Sequence, residues 1–229
     1  MNRWLILFLL ISVSFSWWDT SWKYRREISF NQNASDFVSF VFLDTKTLIE
    51  ENKTLHDCSD IVIVENDAKI ADYYVAECNT TSTVIFFYVP STLNTFYLYY
   101  GNPSATTYAS TSFFKFFDDF ENYDTNSTAS PNWNIEKGDF YVGYYKGDKV
   151  YRLNSTGESI ATSYSGAYSI YALFRMEEGS NFGIVWNYTT QSFISAYLNR
   201  SDQKIYICNS TCKAYADYTE REKNSIIMD

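Results

Sequence analysis

The stretch at residues 57–78, DCSDIVIVENDAKIADYYVAEC, decides the fold class. It holds two runs rich in β-branched and aromatic residues, IVIV and DYYVAE, separated by a polar segment. Such runs suit the pleated surface of a sheet. The pattern predicts a hairpin with a cysteine near each end.

The same pattern recurs along the chain, which contains 21 Tyr and 18 Phe. In KYRREISF, alternation puts Tyr24, Arg26, Ile28 and Phe30 on one face and Lys23, Arg25, Glu27 and Ser29 on the other. SFVFL and TVIFFYVP are apolar on both faces, which predicts central strands. We therefore expect an all-β fold of two antiparallel β-sandwich, jelly-roll-like modules in tandem.

A turn signal, Gly101-Asn102-Pro103, ends the first set of strand-like runs. We expect a first module at 17–105, a linker at 106–112 and a second module at 113–229. Strand-like runs in the second module are GDFYVGYY, KVYRL, ESIATSY, AYSIYALFRM, FGIVWNY, SFISAYL and KIYIC. In AYSIYALFRM, one predicted face carries Tyr168, Ile170, Ala172, Phe174 and Met176.

The first residues predict export. After Arg3, the apolar run WLILFLLISVSF is shorter than the roughly 20 residues that span a bilayer. Small residues at Ser14 and Ser16 suit cleavage before Trp17, so 1–16 is predicted to be a signal peptide. An uncleaved membrane anchor is the alternative. We expect no transmembrane segment after cleavage and a secreted or cell-surface location.

The four cysteines fit an oxidising compartment. Local pairing, Cys58 with Cys78 and Cys208 with Cys212, is one of three connectivities, and free buried thiols are the alternative. A zinc site is not expected, because His56 is the only histidine and no cysteine pair has CxxC spacing.

Asn-x-Ser/Thr acceptors point to the same compartment, at about twice the number expected by chance. Chance in a chain rich in Asn and Thr stays open as an alternative. The acceptors are Asn33, Asn52, Asn79, Asn126, Asn154, Asn187, Asn199 and Asn209.

The net charge of −9, with no basic cluster, argues against nucleic acid or anionic lipid as a partner.

Five ordered blocks resemble a known family: WWDTSWKYRREI (17–28), DCSDIVI (57–63), YYVAEC (73–78), FFYVPS (86–91) and LYYGNPSA (98–105). Together they resemble a domain of unknown function found in secreted and cell-surface proteins of archaea and bacteria. That domain is commonly followed by a concanavalin/laminin-G-like jelly roll. The block FFDDFE (116–121) resembles the opening strand of that jelly roll. The resemblance implies that Trp17, Trp18 and Trp22 pack over the first sandwich and that Tyr99–Pro103 marks its last strand and turn.

The resemblance to jelly rolls implies a calcium site at Asp118, Asp119 and Glu121, with a solvated acidic strand end as the alternative. No other cofactor is expected. As a strand, this block would put Asp119 and Glu121 on one face, which a glycosidase acid pair requires. The E-x-D-x-x-E pattern of jelly-roll glycosidases is absent, however, and no G-x-S-x-G elbow accompanies His56. We therefore assign no catalytic residue and expect no enzyme.

Aromatic side chains such as Trp133 and Trp186 would stack on sugar faces, although core packing explains them equally well. We expect a secreted or cell-surface binding or adhesion protein that recognises a glycan or a surface protein. About 117 residues is short for a concanavalin-like sandwich, so the second module is expected to be incomplete. The alternative is a structural subunit of a surface layer or filament, self-assembled by strand donation. A glycan-active enzyme comes third.

Overall fold

A computed structural model describes residues 17–31, 33–154, 159–163, 170–174, 181–186, 194–209, 211–217 and 224–228. The chain divides into two compact units between Lys115 and Phe116. All the paired strands in these ranges are antiparallel, which confirms the all-β prediction.

The first unit is a two-sheet sandwich. Its elements are β1 (Tyr24–Ile28), β2 (Phe37–Leu43), α1 (Thr45–Glu50), β3 (Val62–Glu65), β4 (Lys69–Ile70), β5 (Tyr73–Ala76), β6 (Thr83–Val89) and β7 (Phe96–Tyr100). The first sheet has the order β1-β7-β3-β4, and the second sheet has the order β2-β6-β5. Alternate residues such as Phe87 and Phe96 are fully buried between the two sheets, where their rings pack 5.6 Å apart.

The predicted hairpin between the two cysteines is wrong. β3 pairs with β4 and β7 in the first sheet, whereas β5 pairs with β6 in the second. The polar turn after β3 leads into the short β4, and the chain then crosses to the other sheet. Local alternation predicts strands but does not say which strands pair.

The prediction that SFVFL forms a central strand is also wrong, whereas β6 is central as predicted. β2 is an edge strand, and Phe42 on its outer face is 59% exposed. The reason is that β2 is apolar on both faces although only its inner face, with Phe37 and Val41, packs against the core.

The second unit contains the remaining described strands. They are β8 (Asn134–Lys137), β9 (Phe140–Tyr145), β10 (Asp148–Leu153), β11 (Ile160–Thr162), β12 (Ile170–Phe174), β13 (Asn181–Trp186), β14 (Ile194–Asn199), β15 (Lys204–Asn209), β16 (Thr211–Asp217) and β17 (Asn224–Met228). Pairs form between β9 and β10, β8 and β11, and β12 and β17, and β13–β16 form a four-stranded meander. Of the face predicted in AYSIYALFRM, Tyr168 and Met176 lie outside the described residues.

The expected opening strand FFDDFE is not a strand. Residues 116–121 form an irregular segment with bends at 116 and 120 and a turn at 121, so the alternation that grouped Asp119 with Glu121 does not apply. Hydrogen bonds from backbone N–H groups to the carboxylates of Asp118 and Asp119 stabilise the turn instead.

The segment at 106–112 is bonded to the first unit. Ser110 N donates to Tyr73 O at 2.8 Å, and Tyr108 N donates to the Tyr73 hydroxyl at 3.3 Å. The boundaries of the two modules remain predictions. No helix within the described ranges combines the length and apolarity that crossing a membrane would require.

Candidate functional site

A chain of hydrogen bonds in the second unit centres on Asp118. Trp133 Nε1 and the Tyr123 hydroxyl both donate to Asp118 Oδ2, at 2.9 and 2.7 Å. The exposed Asn132 donates through Nδ2 to the Tyr123 oxygen at 2.6 Å. Two ring-bearing donors are thus fixed to one carboxylate, and an amide extends the chain to the surface.

Half-buried aromatic rings lie beside this polar chain. Tyr151 stacks on Phe120 and on Phe140, with ring centroids 5.2 and 5.3 Å away. Trp133 packs on Tyr151 at 5.3 Å and on Phe120 at 5.6 Å. We call this group the Trp133 cluster: Asp118, Phe120, Tyr123, Asn132, Trp133, Phe140 and Tyr151. It combines apolar ring surface with hydrogen-bonding groups at its edge.

The local structure explains the assembly of the cluster. Tyr151 and Val142 are cross-strand partners in the β9–β10 hairpin, so their side chains share the face on which Phe140 also lies. The segment carrying Phe120 and Trp133 is held against β9, since Asn126 N donates to Val142 O and Val142 N donates to Ser127 O, both at 2.8 Å.

Both tyrosines of the cluster have raised pKa values. Burial raises the pKa of Tyr123, and its hydrogen bond to Asp118 raises that pKa further. Burial is also the main cause of the raised pKa of Tyr151, whose hydroxyl donates to Thr128 O at 2.8 Å. The cluster therefore presents neutral phenols.

The structure does not gather the three predicted calcium ligands. Asp118 binds the ring donors, Asp119 accepts from Glu121 N, and Glu121 Oε1 accepts from Lys149 N at 2.9 Å. The Lys149 ammonium donates to the carbonyls of Glu121 and Tyr123 at 2.9 and 2.7 Å, so a cationic side chain already lies against this segment. Across the described part of the chain, no group of three or more Asp, Glu, His or Cys side chains would hold a metal ion.

In the first unit, the buried carboxylate of Asp60 joins three segments. Oδ1 accepts from Thr54 Oγ1 at 2.5 Å and from Leu55 N at 2.9 Å, and Oδ2 accepts from Gly101 N at 2.9 Å. Gly101 has φ +88°, and a Cβ there would lie 2.7 Å from the Tyr24 ring. Asp60 and Gly101 therefore have structural roles.

The tryptophans after residue 16 pack on the first sheet, as the resemblance implied. Trp17 and Trp18 contact the Tyr99 ring at centroid distances of 5.5 and 5.8 Å. Arg25 lies over Trp17 at 5.0 Å and pairs with Asp67 at 3.0 Å. The hydrogen bond with Tyr99 is the main cause of the raised pKa of Arg25.

Both predicted disulfides are present: Cys58–Cys78, with Cα atoms 5.8 Å apart, and Cys208–Cys212. Cys58 precedes β3 and Cys78 follows β5, so the first disulfide joins the flanks of strands in different sheets. The second joins two cross-strand partners of β15 and β16. The structure therefore has the local connectivity, one of the three that the sequence left open.

The acceptor asparagines fall into two groups. Asn33, Asn52, Asn79, Asn126 and Asn154 are exposed and lie outside strands. Asn199 ends β14, and its Oδ1 accepts from Ser201 N and Oγ at 2.9 and 2.6 Å. Asn187 and the side chain of Asn209 lie outside the described residues, as does the side chain of Trp186. His56 is exposed.

The sequence pointed to Trp133 and Asp118 separately and missed Tyr123, Tyr151 and Lys149. The only local signal was alternation in β10, which puts Lys149 and Tyr151 on one face. Their contacts with 120–133 are made across the sequence and have no local signature.

Comparison with known families gives one match. Residues 57–136 match a domain of unknown function (DUF2341). This supports the coarser resemblance, although the match begins after the block at 17–28 and extends past the division between the units. No curated protein and no solved structure matches the chain.

Proposed function

We propose that this chain is a secreted or cell-surface binding protein, without catalytic activity, that recognises glycans through the Trp133 cluster. The observation that carries the proposal is the pairing of half-buried ring faces with the polar chain Asn132–Tyr123–Asp118. A sugar ring presents an apolar C–H face and a rim of hydroxyl groups, and aromatic side chains with polar partners suit both.

Export is part of the proposal. Two disulfides, the apolar run at residues 4–15 and the exposed acceptor asparagines support it. The net charge of −9 fits a neutral or cationic ligand better than an anionic one.

The test is glycan-array screening, followed by titration calorimetry with the best ligand. Asn132→Ala removes an exposed amide at the edge of the cluster and should weaken binding about 5- to 10-fold, as expected for one hydrogen bond. Trp133→Phe removes the donor to Asp118 and part of the ring surface and should weaken binding further.

Tyr108→Ala is the matched control, because Tyr108 is an exposed aromatic residue of the first unit. Its affinity should equal that of the wild type, and circular dichroism should show that every variant is folded. The proposal is refuted if no glycan binds, or if Asn132→Ala and Trp133→Phe bind as well as Tyr108→Ala.

A second candidate is a structural subunit of a surface layer or filament, which the open apolar edge of β2 favours. Spontaneous assembly of the chain on concentration would support it.

A further inference from the structure

β2 is an apolar edge strand that lacks the usual protection. Its sequence FVSFVFL contains no proline and no charged residue, and within the described ranges it pairs with β6 alone. On its outer face, Phe42 is 59% exposed and Val38 is 39% exposed. Such an edge is a template for pairing with another chain unless something covers it.

The rest of the second sheet is covered by the chain itself. Ser110 N bonds to Tyr73 O beside β5, the opposite edge strand. On the outer face, the Phe114 ring packs 5.6 Å from Phe86 and 6.1 Å from Tyr74. The exposed apolar surface of this sheet is therefore concentrated on β2.

Exposed acceptor asparagines lie at both ends of β2. Asn33 precedes the strand, and the chain is fixed there by reciprocal hydrogen bonds of 2.9 Å between Ala34 and Thr92. Asn79 lies in the β5–β6 turn, where Thr80 O accepts from Lys46 N at 3.1 Å just beyond the end of β2.

We propose that N-linked glycans on Asn33 and Asn79 cover the open edge and outer face of β2 and keep the chain monomeric. This inference rests on the proposed export of the chain, not on glycan recognition. β2 is about 23 Å long, so each glycan has to cover about half of the strand. The bulk and hydration of a glycan would block the approach of a second strand.

The modification requires a phosphate-activated oligosaccharide and the transferase of the export pathway. The amide Nδ2 of the asparagine forms a bond to the anomeric carbon. The anomeric carbon–oxygen bond to phosphate breaks, the phosphate leaves with the bonding electron pair, and the amide loses one proton.

The experiment uses the full chain secreted from a host that N-glycosylates. Peptide mass spectrometry should find glycan on Asn33 and Asn79, and light scattering after size exclusion should show a monomer. The double variant Asn33→Gln/Asn79→Gln should form dimers or larger species as concentration rises. Asn52→Gln is the matched control and should stay monomeric, because Asn52 lies near the first sheet and not near β2. The carbonyl of the next residue, Lys53, would lie 3.1 Å from a Cβ at Gly101, which directly follows β7 of the first sheet.

A rescue separates lost shielding from misfolding. Adding Phe42→Lys to the double variant should restore the monomer, whereas Leu93→Lys should not, although Leu93 is 80% exposed. Enzymatic removal of the glycans from the folded wild type should reproduce the association. Unmodified Asn33 and Asn79, or a double variant that stays monomeric at every concentration, would overturn the inference. Failure of the glycan array bears only on the proposed function.

Discussion

Replacing Asp60 tests whether the hydrogen bond between the DCSD segment (57–60) and the YYGNP segment (99–103) stabilises the fold. Asp60 is 1% exposed, and its carboxylate accepts hydrogen bonds from Thr54, Leu55 and Gly101. In Asp60→Asn, the amide oxygen can keep the bonds at the Oδ1 position, while its NH2 group faces the N–H of Gly101. Two donors then point at each other in a buried site.

The expected cost follows from the bonds lost. A hydrogen bond to a charged group contributes about 1.5–3 kcal/mol, and a buried donor left unsatisfied costs about 1–3 kcal/mol. Both figures describe the same lost bond to Gly101 and are not added, so Asp60→Asn should lower the free energy of unfolding by about 1.5–3 kcal/mol. Asp60→Ala loses all three bonds and should cost about 3–5 kcal/mol.

The assay is urea unfolding followed by tryptophan fluorescence, with the disulfides intact. Asp57→Asn is the matched control, because Asp57 belongs to the same motif but is exposed and accepts only from Ser59. It should change stability by less than about 1 kcal/mol. Amide exchange should also accelerate at Gly101 in both Asp60 variants and at Leu55 in Asp60→Ala, but at neither position in Asp57→Asn. Equal urea midpoints for Asp60→Asn and Asp57→Asn would refute the stabilising role assigned to the Asp60 carboxylate.

The remaining predictions concern the same unit. Burial raises the pKa of Tyr73 to about 12, above the pKa of about 10 in the unfolded chain. The contribution of the protonated phenol to the free energy of unfolding is therefore complete below pH 10 and is lost between about pH 10 and 12, by at most about 3 kcal/mol. Urea unfolding at pH 8 and 11.5 should show that Tyr73→Phe loses less stability at high pH than the wild type does, and an equal loss would contradict this. Replacing Cys58 and Cys78 together by alanine should lower the free energy of unfolding by about 3 kcal/mol, because the disulfide closes a loop with a separation of 20 residues. A thermal midpoint unchanged from wild type would contradict this prediction. Arg25→Lys keeps the charge near Asp67 but loses the stacking of the planar guanidinium on the rings of Trp17 and Tyr97, whose centroids lie 5.0 and 4.5 Å away. The free energy of unfolding, measured with urea, should fall by about 1 kcal/mol. A urea midpoint equal to that of the wild type would show that the stacking contributes nothing.

The sequence predicted the elements better than it predicted their neighbours. KYRREISF forms β1 as expected, and Arg25 and Tyr99 meet on one face of the first sheet because they are register partners on β1 and β7. SFVFL was correctly predicted as a strand, yet its place at the edge of the sheet was not. The sequence pattern of an apolar strand is the same whether its outer face packs against another element or is exposed to solvent.

The acidic block at 118–121 shows the same limit for the candidate site. An irregular segment replaced the expected strand, and the ammonium that donates to the carbonyls of Glu121 and Tyr123 comes from Lys149, far along the chain. Asp118 accepts hydrogen bonds from the Tyr123 hydroxyl and the Trp133 indole N–H. Whether a carboxylate binds a cation, a ring donor or a backbone amide depends on what folding brings near it.

The sequence by itself determined that the chain is built of β-strands and where its Asn-x-Ser/Thr acceptors lie, but it left three cysteine connectivities open. The strands follow from alternation and turn residues, which are properties of neighbouring positions, whereas the structure decided which cysteines pair. The tertiary structure alone decided that β3 and β5 lie in different sheets, that β2 is an open edge, and that Asp60 and Asp118 are centres of hydrogen bonding. The physical reason is that strand pairing, burial and the partners of a carboxylate are set by contacts between segments distant in sequence.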